Sequence, residues 1–523
     1  MTFNVIDSYG YASSPTTFAR IVDAAGSDAA NFVHVDSIGN SYLCGYYVST
    51  TPRIITTSNS NVSVTVATLP APSGTVSDGF CSKFDSDGNY QYSILMRSAG
   101  SESVYSATTD SSNNLYVIGT AIGQSNIAIV SNSNVMTTLS NIFVNTTYYV
   151  ACASKFSSTG TYLYSLVVYH VGGDNYGVSG TCDVDGNVYL CGNNLGGSIA
   201  YYSNSNVQTV IGTISSGGGG ACKFNSSGAY QGSIIISGGN GMNGISSDID
   251  KNVYVGGYAP GGSTVTVSVL SSSNVSTTVG SFSITTQSGI VCKFNPSLSY
   301  QYSLLFSKNG TFTPTTRVYS IACDSAKNVY VGGAYVGVGN TSIRYISPSN
   351  VITTVGLLTC QSNDFTDAFL SKFNSSGTYQ YSYSVSNVFY SELISGVKCD
   401  SFDNVYFAGS AIANSNISYI SNANVTTNVA TLSSLTAAFC SKINSSGTYQ
   451  YSLGIYRGNE TFGNSVSTDY YGNMYLAGYY SAQSNIYFIN NSNVFSSNLG
   501  YLPAPPIGGY AAYMVKVTAN GTY

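Results

Sequence analysis

The chain has 523 residues, of which 7% are charged and 43% hydrophobic, with 46 Tyr, 55 Gly and no Trp. Seventeen Lys and Arg against 22 Asp and Glu leave a net charge of −5, too little basic character for a nucleic-acid face. No run of about twenty apolar residues occurs, so no membrane insertion is expected. The wealth of Tyr, Thr, Val, Gly, Asn and Ser excludes both a helical bundle and a charged disordered chain.

The segment Met1-Thr-Phe-Asn-Val-Ile-Asp7 lacks the charged-then-apolar pattern of a secretory signal. Residues 17–22, Thr-Phe-Ala-Arg-Ile-Val, read as a strand. From Asp36 onward one pattern organises the chain: Asp, then Asn four residues later, Tyr two further on and Gly three beyond that. Copies start at Asp36, Asp110, Asp183, Asp248, Asp324, Asp400 and Asp469, between 65 and 76 residues apart, and each keeps all four residues. Even repetition predicts one repeat architecture over residues 1–523, with units beginning near 28, 102, 174, 240, 316, 392 and 460.

The fifth unit shows the predicted elements in order. Arg317 to Cys323 is a strand, Asp324 to Asn328 a turn, and Val329 to Tyr335 a second strand. An inserted hairpin follows, with Ile343 to Ile346 and Val351 to Val355 around the tip Ser347-Pro-Ser-Asn350. Ala368 to Phe373 is the third strand; the turn Asn374-Ser-Ser-Gly377 leads to the fourth, Tyr379 to Ser384. The hairpin tips recur, ending at Val62, Val135, Val207, Val275, Val351, Val425 and Val494. The expected fold is all-β: a seven-bladed β-propeller with four antiparallel strands per blade and a hairpin inserted between strands two and three. The last unit stops where its fourth strand is due, so residues 17–22 are expected to complete it and close the ring.

These units resemble the SBBP type of β-propeller repeat, which pairs Asp-x-x-Gly-Asn-x-Tyr-x-x-Gly with a later Asp-Ala-Phe-x-x-Lys-Phe/Leu-Asn-x-x-Gly segment. The nearest matches are Asp183 to Gly192 and Asp367-Ala-Phe-Leu-Ser-Lys-Phe-Asn-Ser-Ser-Gly377. The resemblance covers all seven units and departs from the family in the long Asn- and Ser-rich insert. It implies a propeller with no common catalytic site. In overall texture the chain is also similar to repeat proteins encoded by large DNA viruses of protists.

Two sets of residues recur as candidates for chemistry: the motif Asp residues, and a third-strand Lys at Lys83, Lys155, Lys223, Lys293, Lys372, Lys442 and Lys516. They read either as a ring of sites or as structural Asp–Lys pairs and turn caps. Identity in all seven copies favours structure, because a single active site needs one copy to differ. The scarce Glu102, Glu392 and Glu460, with Asp28 and Asp174, lie eight or nine residues before their motif Asp. A carboxylate cluster there, at the channel mouth, would attract a cation such as Ca²⁺; a solvated rim is the plainer alternative. Asp85-x-Asp87-Gly-Asn89 and Asp183-x-Asp185-Gly-Asn187 read as turns, without the Glu that completes a calcium loop. His34 and His170 show no sequence link to a nucleophile and an acid, so no enzyme is expected.

The 11 Cys track the repeat and occupy small-residue strand positions, which points to free thiols and a reducing compartment. The two sets of turns are expected on one flat face, and the inserts with the variable connections on the other. The expected function is a non-enzymatic structural or protein-interaction propeller that contacts other proteins or its own copies in a particle or assembly. Binding of a carbohydrate or small ligand on the loop-rich face is the alternative, and an enzyme with a site at the channel mouth the third.

Overall fold

In the computed structural model, residues 17–521 are described except 24–25, 49, 51, 59–61, 75, 123, 145, 240, 309–314, 337–339, 360–364, 388, 412–413, 433–436, 457–460, 491–494 and 506–508. The described residues form strands and turns, with no helix. The first repeat runs Ala29–Val35, Ser41–Tyr47, Asp78–Phe84 and Tyr90–Arg97, each antiparallel to the one before. The third strand is buried on both faces, so Asp-Gly-Phe-Cys-Ser-Lys-Phe shows no alternation of apolar and exposed polar residues.

The inserted hairpin lies between strands two and three in sequence, but it does not pair within its own repeat. Gln124–Ser131 and Met136–Phe143, from the second repeat, add to the fourth strand of the first, with Ile129 opposite Ile94. Six-stranded sheets result, four strands from one repeat and two from the next. The pairing network contains five such sheets and one of ten strands, in which the long strands Val188–Ser203 and Gln208–Phe224 each serve two neighbouring sets. The sheet of the last repeat takes its fourth strand from Phe18–Asp23, which pairs with Ala511–Val517 so that Phe18 faces Lys516. Arg53–Ser58 then adds on its other side.

Register also places the hairpin tips. His34, Tyr42, Lys83, Tyr92 and Ser131 stand side by side in one row across the first sheet. Beyond that row lie the turns at Asp36, Asp85 and Ser131 together, so the insert tips share the face of the two turn sets instead of the opposite face. All three turn types use one geometry: the first residue donates to and accepts from residues four and three further on, as in Ser131 N to Val135 O at 3.0 Å and Asn134 N to Ser131 O at 3.0 Å. The residue before the last is left-handed, Asn134 at φ 59° and Gly88 at φ 83°, which Asn and Gly tolerate.

The motif Gly has a different reason. Each first strand carries a bulge, between Ala30 and Phe32 in the first repeat, that pushes a carbonyl over the second strand. A Cβ on Gly45 would run into the Ala29 carbonyl, and the same holds for Gly119 under Ser103, Gly333 under Arg317 and Gly478 under Phe462.

The core sits between sheets. Seven clusters of buried apolar residues each combine two neighbouring repeats, the last pairing Phe18, Tyr475 and Met514 with Val33, Leu43 and Phe80 of the first. Innermost strands of successive repeats also bond each other: Asn31 Nδ2 donates to Val104 O at 3.0 Å and Asn243 Nδ2 to Val318 O at 3.2 Å. Asn464 Nδ2 of the last repeat donates to Ala30 O of the first at 2.8 Å.

Deleting residues 1–23 removes Phe18, Ile21 and Val22 from this core, each contributing about 1.5–3 kcal/mol of burial, and bares the Ala511–Val517 edge. The truncated chain is expected to melt well below the full chain, or to aggregate. A thermal scan checks this, with a synthetic peptide of residues 15–25 expected to restore part of the loss.

Candidate functional site

The recurring Asp is a turn cap. Asp36 Oδ1 accepts from Ile38 N at 3.1 Å and Asn40 N at 2.8 Å, while Oδ2 accepts from Asn40 Nδ2 at 2.7 Å and the Tyr42 hydroxyl at 3.1 Å. The same set recurs at Asp400 and Asp469. At Asp110, Asp183, Asp248 and Asp324 the backbone amide and the motif Asn are held likewise. Asp85 treats Asp87 N and Asn89 N identically, so the calcium-like patterns are turn chemistry.

The recurring Lys is a latch to the next repeat rather than chiefly an ion-pair partner. Lys83 Nζ donates to Ser158 O at 2.6 Å, Lys155 to Ser226 O at 2.9 Å, Lys223 to Pro296 O at 2.6 Å and Lys293 to Ser375 O at 2.6 Å. Lys442 reaches Ala519 O at 2.9 Å, and Lys516 of the last repeat reaches Ser86 O of the first at 3.2 Å. Each acceptor is the second residue of the turn that follows a third strand. Direct Asp–Lys contacts occur at Asp110–Lys155, 3.1 Å, and Asp469–Lys516, 3.9 Å. Lys372 lies between the rings of Tyr330 and Tyr381, at 5.1 and 5.7 Å from their centroids. Burial holds the Lys83, Lys293 and Lys442 ammonium groups below the usual lysine range.

The four described rim carboxylates, Asp28, Glu102, Asp174 and Glu392, form no shared cluster. Among the described residues no three His, Cys, Asp or Glu side chains form a metal-sized group, and Glu460 lies outside those residues. Each described carboxylate instead anchors its own connection. Asp28 accepts from Val48 N at 3.1 Å. Glu102 accepts from Ser98 Oγ, Ser125 Oγ and Ile122 N, and Glu392 from Ser415 Oγ at 2.9 Å. The third repeat uses Asn175, whose Oδ1 accepts from Gly196 N at 2.8 Å, so Asp174 is offset by one and binds Tyr149 N and the Tyr176 hydroxyl. These anchors are buried, except the partly exposed Asp174, so they make no solvated rim either. Burial pushes Glu102 up to about 7, and its Oε2 has no hydrogen-bond partner, as suits a protonated acid.

One concave site is shared by all repeats; the sequence reading looked to the channel mouth, but of its candidates for chemistry only His34 lines this site. The first strands of the seven repeats line a cavity of about 660 Å³, from Asn31–His34 through Ser395–Cys399 to Asn464–Ser467. Two residues before the motif Asp stand His34, Thr108, Thr181, Ser246, Ala322, Lys398 and Ser467, all at its wall. His34 Nε2 meets Thr109 Oγ1 at 2.9 Å. Burial, reinforced by the Lys398 charge, holds the His34 imidazole down to about 3, so it is neutral at pH 7. Burial also lowers Lys398, against the pull of Cys399 and Cys323. His170 is exposed on a connection, where its Nδ1 accepts from Gly172 N at 3.1 Å.

The ten described thiols are free and buried or half-buried, with Cys44 and Cys81 Sγ 3.1 Å apart; Cys360 lies outside the described residues. Cys222 and Cys292 stand where other repeats pair two serines, each accepting from a serine Oγ. Burial pushes both thiols up to about 12.

No family model matches the chain, so the SBBP resemblance rests on the motifs alone, and no curated relative matches it. Among solved structures it is similar to the Dos1 propeller, at 7% identity and TM-score 0.41 over 97% of this chain and 96% of that one. It is also similar to the polysaccharide lyase Uly1, at 8% identity and TM-score 0.36 over 94% and 90%. A third is a putative 6-phosphogluconolactonase from Bacteroides fragilis, at 9% identity and TM-score 0.32 over 95% and 98%. None of these likenesses bears on what this chain binds or does.

Two outcomes follow from burial. An acid raised by the fold stabilises it fully below the ordinary Glu value of about 4.3, and that contribution is lost as pH rises toward 7. Glu102→Gln is therefore expected to remove part of the fall in melting temperature between those pH values and to be the more stable form at pH 8. A pH series of thermal scans checks it. A disulfide reagent at pH 8 is expected to leave the described thiols of the folded chain almost unreacted and to count all 11 after unfolding.

Proposed function

We propose that the chain closes as a seven-bladed propeller, the ten-stranded sheet counting as two blades, and works as a non-enzymatic scaffold that joins copies of itself through its outer rim. The SBBP-type repeat reading belongs to this proposal. The ring is supported by the bonds from the last repeat to the first, Asn464 to Ala30 and Lys516 to Ser86, and by Phe18–Asp23 completing the last sheet.

The observation that carries the function is the outermost strand of each sheet. Ser63–Thr68, Met136–Phe143, Ser276–Ile284, Ile352–Leu358, Thr426–Thr431 and Phe495–Leu502 contain no charged residue and no Pro, and the outer part of Gln208–Phe224, residues 208–214, is the same. Proteins protect free edges with those residues. Thr, Ser and Val on exposed edges offer backbone pairing to an identical edge. The tip valines add apolar contact on one face: Val135, Val275, Val351 and Val425 are 59–62% exposed. Exposed Ile38, Val184, Ile249, Phe402 and Tyr470 continue that face inward. Each outer ladder is bulged, as between Ile127 and Ala128, so one edge pairs weakly and several must act together. Free thiols suit synthesis in a reducing compartment, where a viral particle could be assembled from copies of the chain.

Sedimentation velocity over a concentration series tests the reading. Wild type is expected to associate reversibly above the 54.8 kDa monomer. A variant with Thr137→Lys, Thr277→Lys, Thr353→Lys and Thr427→Lys is expected to stay monomeric. A wild type that remains monomeric throughout refutes self-assembly and leaves a different protein partner for the rim; association unchanged in the variant removes the outer edges from it.

A further inference from the structure

The turn-end of the central cavity breaks the repeat in one respect. Five of the seven positions two residues before the motif Asp hold Thr, Ser or Ala, while the first holds His34 and the sixth Lys398. Six of the seven copies thus keep this wall uncharged at neutral pH and one puts a lysine amine there. The wall contains no Asp, Glu or Arg, and Lys398 is its one lysine. Among the described residues no carboxylate forms an ion pair with Lys398. Side-chain hydroxyls line the same space, from Thr108, Thr109, Thr181, Ser246, Ser247 and Ser467. A half-buried cation without a counter-charge is costly, and a bound anion relieves that cost. The volume of about 660 Å³ falls in the range of small-molecule sites.

We propose that this cavity binds a small phosphate- or carboxylate-bearing anion, with the Lys398 ammonium as its counter-charge and the wall hydroxyls as hydrogen-bond donors. The site is independent of the outer rim and stands or falls separately from self-assembly. His34, touching Thr109 in the same wall, is a built-in reporter.

The chain holds two histidines, so proton NMR of the full-length protein shows two imidazoles, assigned with His170→Gln. The probes are inorganic phosphate and, separately, citrate, at constant pH and low ionic strength. The His34 signal is expected to shift saturably with at least one probe while that of His170, outside the cavity, does not. In Lys398→Met the half-saturating concentration is expected to rise at least tenfold. In Lys251→Met, which removes only an exposed ion pair to Asp185, it is expected to stay unchanged. Response to one probe alone names the recognised group, and response to both names the shared oxyanion chemistry. No saturable His34 shift with either probe overturns the proposal, as does equal affinity in Lys398→Met. Should that variant fail to fold, the wild-type titration decides: a saturable His34 shift without a His170 shift supports the site, and its absence refutes it.

Discussion

Every repeat of this protein is incomplete without the next one, and that dependence organises the whole structure. A single repeat has four strands with apolar residues on both faces and an insert that has nothing of its own to pair with. It reaches its neighbour at three places across the sheet. At the first strand a bulge residue such as Asn31 donates to the next first strand. Farther out a lysine such as Lys293 donates to the next turn. At the edge, Thr213 N donates to Asn274 of the following hairpin at 3.0 Å, and Ser281 N to Asn350 at 3.2 Å. Hydrogen bonds of this kind net about 1 kcal/mol each. Each buried aliphatic or aromatic side chain between sheets contributes about 1.5–3 kcal/mol, and the Val291–Phe373 interface alone buries Leu304, Phe306, Val331, Tyr335 and Phe369. Burial therefore supplies the stability. The polar latches, which are geometrically demanding, select which neighbour and which register.

The same division explains what the sequence made legible. The motif Asp, Asn, Tyr and Gly have local reasons: two turn amides to cap, one amide side chain to hold, one hydroxyl to bury and one carbonyl to clear. Their spacing follows from a single turn and its two strands, so seven copies were visible without any structure. The completion of the last sheet by Phe18–Asp23 was visible too, because a strand missing at one terminus matched a surplus strand at the other. The destination of the inserts was not. Gln124–Ser131 could pair with any free edge by its pattern, and the choice of Tyr90–Arg97 in the preceding repeat is set by non-local packing. The misplacement of the tips followed directly: a hairpin added to a fourth strand turns at the end where that strand began.

The carboxylates show a subtler limit. Counting back from the motif places Glu102, Glu392, Asp28 and Asp174 close together in a ring, yet side chains one residue apart on a connection face different ways. Asn175, not Asp174, occupies the buried anchor of the third repeat. Scarcity of Glu was informative, since a rare residue at two equivalent places, Glu102 and Glu392, has a reason; Thr461 holds that place in the last repeat, against Ser484. The reason is that one carboxyl oxygen can gather the amide and hydroxyls of one tight connection, as Glu102 Oε1 accepts from Ile122 N and from the Ser98 and Ser125 hydroxyls.

Repetition also says where to look for individuality. Substitutions at exposed turn positions, such as Lys251 facing Asp185 and Lys327 facing Asp250 at 2.9 Å, change charge where water screens it, and exposed pairs of this kind add little. They can vary among repeats with little consequence. The channel wall is different, because its low-dielectric surroundings make a charge expensive and a sevenfold scaffold has no structural need for one. An equivalent position filled by Thr, Ser or Ala in most repeats shows that the fold is satisfied without a lysine. Lys398 thus stands against the preference of its own architecture, and the anion proposed for the cavity is the compensation that the repeat itself does not supply.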